Sequence, residues 1–514
     1  MSRTINLHWG DGYLVIEPVV PDELRKELRY WHRSIGFDPQ TGRRVATGEY
    51  RELYQLDEHI NEQQLFVQKM TTMPGFVHRI KSILKQESYP FNLIDERTPA
   101  PTPDIAASLQ GLREYQYECA YTALMSGGGM VACPTGWGKT HIMGALCKAY
   151  PHEELLLRNT PTTVICAPDK EIVRKNYEDI CEIMPERDVG IVMSGRKKVF
   201  STDIQLITLD SLHHLDPADV GLLIADEVHS VASEGRAEAL STMTKAVRYG
   251  MSATPTGRFD GRDLVTEGLF GPVVYTRTYK QGVDDGALVP IRVLWLRLPE
   301  PSRGLDKYLA FKQRESRYRH GMYRDPMVQQ TIVNLMKRIP EEMQTLCIMR
   351  HTEQLNFLAP YCPEMSYVHG EANAAALQKQ ARHNLTAIKK KERETLYDQF
   401  RDGEIRKIFS TWVYKQGVNF PELEVIVNAG GGGSDIVARQ IAGRESRNID
   451  GKEESWLIDF WHDWDTAKDK NGKSRPGPLL SDDRSREKAY TELGFNQNWI
   501  SSLDDIPFLS EVSG

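Results

Sequence analysis

Between residues 106 and 290, short apolar runs alternate with polar stretches long enough for helices. The runs are Met130-Val131-Ala132-Cys133, Thr163-Val164-Ile165-Cys166, Ile204-Gln205-Leu206-Ile207-Thr208 and Leu222-Leu223-Ile224-Ala225. A strand that is apolar at nearly every position is covered on both faces, as in a parallel sheet flanked by crossover helices. The pattern restarts beyond residue 291 with Thr345-Leu346-Cys347-Ile348-Met349, Lys407-Ile408-Phe409-Ser410 and Val425-Ile426-Val427-Asn428. The repetition predicts two tandem α/β units with parallel sheets, over residues 106–290 and 291–465.

Residues 1–105 read differently and predict a small α+β accessory domain. Tyr13-Leu14-Val15-Ile16-Glu17-Pro18 predicts a strand. Leu24, Leu28 and Trp31 fall at i, i+4 and i+7 and predict a helix there, with a second over residues 75–86. Thr98-Pro99-Ala100-Pro101-Thr102-Pro103 reads as a linker. Residues 466–514 predict a short helical C-terminal tail, loop-like over 468–478 and helical over 483–493.

Composition changes this picture little. Hydrophobic residues make up 40% and charged residues 26% of 514, an ordinary globular balance. No apolar run reaches the roughly 18 residues of a membrane span, and the first residues lack a secretory h-region. The 7 cysteines include no Cys-x-x-Cys pair, which predicts reduced thiols in a cytoplasmic protein, with no zinc site or disulfide frame. The net charge of −7 argues against coating nucleic acid by bulk charge, but leaves room for a local basic groove.

The chemistry begins at Pro134-Thr135-Gly136-Trp137-Gly138-Lys139-Thr140, between a predicted strand and a predicted helix. Gly136 and Gly138 let backbone N–H groups approach phosphate oxygens, and the helix N-terminus adds partial positive charge. Lys139 is placed to reach β- and γ-phosphates of ATP, and Thr140 to ligate Mg²⁺. Asp226 and Glu227 close a buried strand, where open α/β sheets bind ligands. There Asp226 would hold Mg²⁺ and Glu227 would orient the attacking water. Ser252 and Thr254, in Gly250-Met251-Ser252-Ala253-Thr254-Pro255, suit a strand-end hinge beside phosphate chemistry. Arg444 and Arg447 are three apart and share a helical face. Two guanidiniums on a transferring phosphoryl group can be worth about 10³–10⁵ in rate.

These segments, in this order over about residues 106–465, resemble superfamily 2 helicases. Asp226-Glu227-Val228-His229 matches the DExH box, Ser252-Ala253-Thr254 motif III, and Gln440-Ile441-Ala442-Gly443-Arg444-Glu445-Ser446-Arg447 motif VI, which adds Gln440 to the catalytic set. Leu112-Arg113-Glu114-Tyr115-Gln116 matches the element before the phosphate loop, where Gln116 would read adenine beside Arg113. Within the superfamily the chain is similar to the UvsW-type phage helicases and the XPB group. Arg258, Asp260-Gly261 and Leu269-Phe270-Gly271-Pro272-Val273 carry that likeness, with Asn428-Ala429-Gly430-Gly431-Gly432 and Trp456-Leu457-Ile458-Asp459-Phe460. Departures occur at Cys133, where the loop usually starts with Gly, and at Glu445-Ser446. A third is Asn419, where the family commonly has Asp; with Gly417 it belongs to motif V and can still accept from a ribose hydroxyl.

The resemblance implies two RecA-like lobes and ATP-dependent translocation on DNA, 3′ to 5′, remodelling branched or paired strands in recombination, repair or replication. It implies backbone contacts near Pro168, Lys170, Thr208, Arg350, His351 and Thr411, with His229 linking them to the ATP site. Lys312 to Arg324 interleaves Arg314, Arg317, Arg319 and Arg324 with Tyr318 and Tyr323, which fits either phosphate and base contact or a covering helix. In residues 1–105, Arg43-Arg44, Lys69, Arg79, Lys81 and Lys85 support a domain that docks DNA or a protein partner. An RNA helicase or RNA-duplex sensor, and the motor subunit of a restriction or antiviral complex, remain alternatives.

Overall fold

The computed structural model describes residues 4–37, 44–60, 65–193, 198–256, 260–371, 373–379, 383–411, 420, 422–432, 452–468 and 474–509. It divides into two compact units. One holds residues 1–134 and 138–277; the other holds residues 278–514 and the loop tip Thr135–Trp137.

The first unit contains a seven-stranded, wholly parallel sheet. Its order is Val189–Val192, Ile204–Thr208, Thr162–Ala167, Val220–Asp226, Val247–Ser252, Gly129–Ala132 and Val273–Thr276. Every residue of Thr162–Ala167, Ile204–Thr208 and Val220–Asp226 is buried, which is why these strands read as unbroken apolar runs. The strands ending at Ala132, Ser252 and Asp226 lie side by side, so the phosphate loop, Ser252 to Thr254 and the acidic pair leave one edge together.

The same unit carries the predicted accessory domain. Its mixed sheet runs Tyr54–Ile60, Phe66–Thr72, Leu14–Glu17, Ile5–Trp9, Phe91–Asp95. Helices Asp22–Glu27 and Val77–Gln86 cover it, burying Leu24, Leu28, Val77, Ile80 and Leu84 against Ile5, Leu7, Leu14 and Ile16. The domain seats on helix Asp263–Phe270 through glycine: a Cβ at Gly75 would stand 2.4 Å from the Glu267 carbonyl oxygen. Arg79 donates two hydrogen bonds to the Glu267 carboxylate, at 2.8 and 2.6 Å. Arg79 is thus occupied in domain docking.

One predicted helix is corrected. The helix expected through Trp31 stops at Glu27, and Arg29–Phe37 is a strand paired antiparallel with Arg44–Glu52. Leu24 and Leu28 do share the buried face. Trp31 met the i+7 spacing by coincidence. It follows Tyr30 in a run rich in aromatic and β-branched residues, which favour strands.

The second unit is built on a second seven-stranded parallel sheet, ordered Ser366–Val368, Lys407–Thr411, Thr345–Met349, Val425–Asn428, Ser455–Trp461, Ile291–Arg297 and Asn496–Ile500. The C-terminal helix starts earlier than expected, spanning Pro478–Leu493, and the chain then returns as strand Asn496–Ile500 at the sheet edge. Part of the segment expected as loop forms a short antiparallel pair, Thr466–Lys468 with Ser474–Pro476.

A buried ionic cluster fastens that C-terminal helix to the sheet. Arg486 is 1% exposed and donates two hydrogen bonds to Asp459, at 2.8 and 2.9 Å, and one to Asp483 at 3.0 Å. Its remaining nitrogen donates to the Gly432 carbonyl. Tyr490 and Asn428 also donate to Asp459. Removing one partner strands a buried charge. Arg486→Ala is therefore expected to destabilise the second unit by about 3–5 kcal/mol, read as a lowered urea or thermal midpoint. A midpoint within error of wild type would show that the cluster holds nothing.

Candidate functional site

The phosphate loop owes its path to two glycines. Gly136 and Gly138 have φ of 86° and 88°, the left-handed region that side chains disfavour. At Gly138 the space is also filled, since a Cβ would lie 2.3 Å from Gln116 Nε2. Lys139 opens helix Lys139–Ala149, and its Nζ lies 3.5 Å from the Cys133 carbonyl oxygen, folded back over the loop. Cys133 is buried, and its N–H donates to the Ser252 carbonyl at 3.1 Å, tying the loop's root to the neighbouring strand. Gly138→Ala is expected to distort the loop and weaken nucleotide binding at least tenfold. Unchanged affinity of a fluorescent ATP analogue would refute that dependence.

Gln116 sits between the loop and its own helix. Its Oε1 accepts from the Arg113 N–H at 3.1 Å, a cap at the start of Glu114–Ser126. The exposed Arg113 donates through Nη1 to the Tyr115 hydroxyl at 3.0 Å.

Asp226 is 8% exposed, with both carboxylate oxygens engaged. Oδ1 accepts from the Glu227 N–H at 3.0 Å, and Oδ2 from Asn176 Nδ2 at 2.9 Å. Asn176 was not found from sequence. It is a 4% exposed polar residue on helix Lys170–Ile183, and a lone Asn among helical residues carries no motif. Glu227 has φ of 51°, a strained conformation for a non-glycine residue and common where function dictates the backbone. Burial pushes its carboxyl above the usual range, an effect the nearby Lys139 ammonium opposes.

A hydrogen-bond relay joins this pair to the adjacent strand end. The buried Ser252 hydroxyl donates to Glu227 Oε2 at 3.2 Å. It accepts from the Thr254 N–H at 3.1 Å and stands 2.9 Å from His229 Nδ1, consistent with the Nδ1–H tautomer. His229 Nδ1 is also 3.3 Å from Glu227 Oε2. The sequence-derived residues Glu227, His229, Ser252 and Thr254 thus form one connected set.

The remaining candidates divide. Pro168 is half-buried just past Thr162–Ala167, and Lys170 is exposed in the first turn of its helix. Thr208 is buried, and its hydroxyl donates inward to Ser211 Oγ at 2.8 Å, so that side chain is engaged within the fold. In the second unit, Arg350 and His351 follow strand Thr345–Met349, and Thr411 ends Lys407–Thr411. The Arg350 guanidinium lies 5.4 Å from the Tyr318 ring centre, and His351 meets Tyr323 edge-on at 5.1 Å. Tyr318 and Tyr323 are each 1% exposed, so the reading of 312–324 as a base-stacking surface gives way to that of a covering helix. Arg317 pairs with buried Asp465 at 2.8 Å. Arg258, Gly417, Asn419, Gln440, Arg444 and Arg447 lie outside the described residues.

Known proteins match the chain over both units. The family model described as Type III restriction enzyme, res subunit matches residues 110–257, and the Helicase conserved C-terminal domain model matches residues 328–448. The DNA 3′-5′ helicase XPB of Mycobacterium tuberculosis is 26% identical over 443 residues, 82% of this chain and 74% of that protein. The DNA 3′-5′ translocase XPB2 of Sulfurisphaera tokodaii is 27% identical over 393 residues, 72% of this chain and 84% of that protein. The crystal structure of T4 UvsW aligns over 97% of this chain and 99% of that one, at 16% identity and a TM-score of 0.40.

Proposed function

Since this chain is a superfamily 2 helicase, an ATP-driven enzyme, we propose that it moves 3′ to 5′ along DNA and remodels paired or branched strands. The observation that carries this is the relay from Glu227 through Ser252 to His229 and Thr254, at the ends of two adjacent strands. It joins the hydrolytic carboxylate to a second strand end, so a change at the nucleotide is transmitted by a short chain of hydrogen bonds. The names of the XPB relatives supply DNA and the direction.

The residues present fit MgATP. The loop backbone at Pro134, Thr135, Gly136, Trp137 and Gly138 cradles the phosphates, and Lys139 neutralises the β and γ groups. Thr140 and Asp226 would hold Mg²⁺, with Asn176 fixing the Asp226 carboxylate. Mg²⁺ held there would supply positive charge against the phosphates during hydrolysis. Glu227 orients the attacking water. Arg113 and Gln116 would read the base, and the family resemblance implies roles at the ribose for Gly417 and Asn419 and at the transferring phosphoryl group for Gln440, Arg444 and Arg447. Pro168, Lys170, Arg350, His351 and Thr411 contact the strand backbone, while Thr208 contributes through its main chain.

ATPase assays with single-stranded DNA, duplex, forked DNA and RNA test the reading. Forked or single-stranded DNA is expected to stimulate turnover at least tenfold. Stimulation by RNA alone would make the chain an RNA helicase. No stimulation by any of them would make it a motor that needs a partner subunit.

A further inference from the structure

The two-stranded ribbon in the accessory domain has no part in the ATP site, yet its two faces differ sharply. Tyr30 and Leu53 pack against the core of the first parallel-sheet unit. A Cβ on Gly261, in the loop beyond Ser252 to Thr254, would stand 3.1 Å from the Trp31 carbonyl oxygen and 3.3 Å from the Tyr30 ring. The ribbon's root is thus pressed onto the lobe that carries the phosphate loop. Successive strand residues alternate faces, so Trp31 points away from that contact.

On the outer face Trp31 and Tyr50 are directly paired across the strands. They remain 45% and 58% exposed, with ring centres 4.8 Å apart at 74°. The Arg29 guanidinium stands 4.5 Å over the Tyr50 ring. A cross-strand aromatic pair stabilises an isolated ribbon. That pairing still leaves two adjacent ring faces and a guanidinium accessible together on one side of the ribbon. The ribbon's sequence is also basic within an acidic chain. Residues 29–52 hold Arg29, Arg33, Arg43, Arg44 and Arg51 against Asp38, Glu49 and Glu52, where the whole chain carries −7.

We propose that Trp31, Tyr50 and Arg29 form a nucleic-acid contact that stacks on an unpaired base at a strand junction while the guanidinium meets phosphate. Exposed π-faces beside cations are the chemistry that holds single-stranded nucleic acid without reading its sequence. Fixed to the motor lobe, the ribbon engages the junction as that lobe advances. This rests on the helicase reading above.

The test uses the full chain with Trp31→Val and Tyr50→Thr together, which keep β-formers on the ribbon and remove both rings. Circular dichroism and the melting midpoint confirm the fold, and fluorescence anisotropy reads affinity for a forked DNA. The expected result is forked-DNA affinity weaker by about tenfold, the scale of one lost base stack, with ATP turnover at saturating single-stranded DNA unchanged. A conservative Trp31→Phe with Tyr50→Phe pair should recover most of the affinity. Wild-type affinity in the Val/Thr variant would overturn the proposal and leave the patch to a protein partner. An equal fall in saturated turnover would overturn it too, by making the pair structural. If no DNA stimulates the wild-type ATPase, the motor reading fails separately, while the anisotropy comparison still decides the ribbon.

Discussion

Lys139→Ala is expected to abolish ATP turnover, by at least about a thousandfold, while leaving the fold intact. The lysine sits at the first position of its helix, half-buried, with its ammonium near the Cys133 carbonyl and close enough to influence Glu227. It holds a positive charge over the loop proposed to bind the phosphates. Alanine keeps the helix, since it is the best helix former, and removes only the charge. The melting midpoint without nucleotide should hardly move, because the ammonium makes one long contact. Turnover within tenfold of wild type would sink the phosphate-loop assignment.

Glu227→Gln is expected to separate binding from hydrolysis. The amide keeps the size and one hydrogen-bond acceptor, so Ser252 can still donate to it. The basic oxygen proposed to orient the attacking water and accept its proton is gone. A loss of about 10²–10⁴ in kcat follows from the usual worth of a positioned general base. ATP affinity should stay within a few fold, or tighten, because one negative charge near the triphosphate is removed. Pre-steady-state binding with single-turnover hydrolysis distinguishes the two quantities. Intact single-turnover hydrolysis would move the base elsewhere.

Much of this architecture is legible from residue pattern because its strands are buried on both faces. Ile204–Thr208, Thr345–Met349 and Val425–Asn428 have the bounds their apolar runs predict. The strand Asn496–Ile500 is invisible by the same criterion. It reads Asn-Gln-Asn-Trp-Ile and lies at a sheet edge, where one flank faces solvent and no apolar run is required. Trp31 shows the opposite failure: a helical spacing of three residues outweighed the β-forming character of its neighbours. Within the site, the acidic pair and the glycines announce themselves because their chemistry restricts residue type. Asn176 does not, since many polar residues could sit mid-helix and only the fold brings its amide to Asp226. The tyrosines of 312–324 looked like a stacking surface because sequence shows aromatic character without showing burial; Tyr318 is spent on Asp482 and the Gly432 N–H.

The proposed function has the relay through Ser252 couple hydrolysis at Glu227 to movement along a strand. Displacement of streptavidin from biotinylated single-stranded DNA measures that movement directly. With ATP, the wild-type chain should clear streptavidin from the 5′ end faster than from the 3′ end, and Lys139→Ala should clear neither. Faster clearance from the 3′ end, or none from either end despite DNA-stimulated hydrolysis, would contradict a 3′ to 5′ motor.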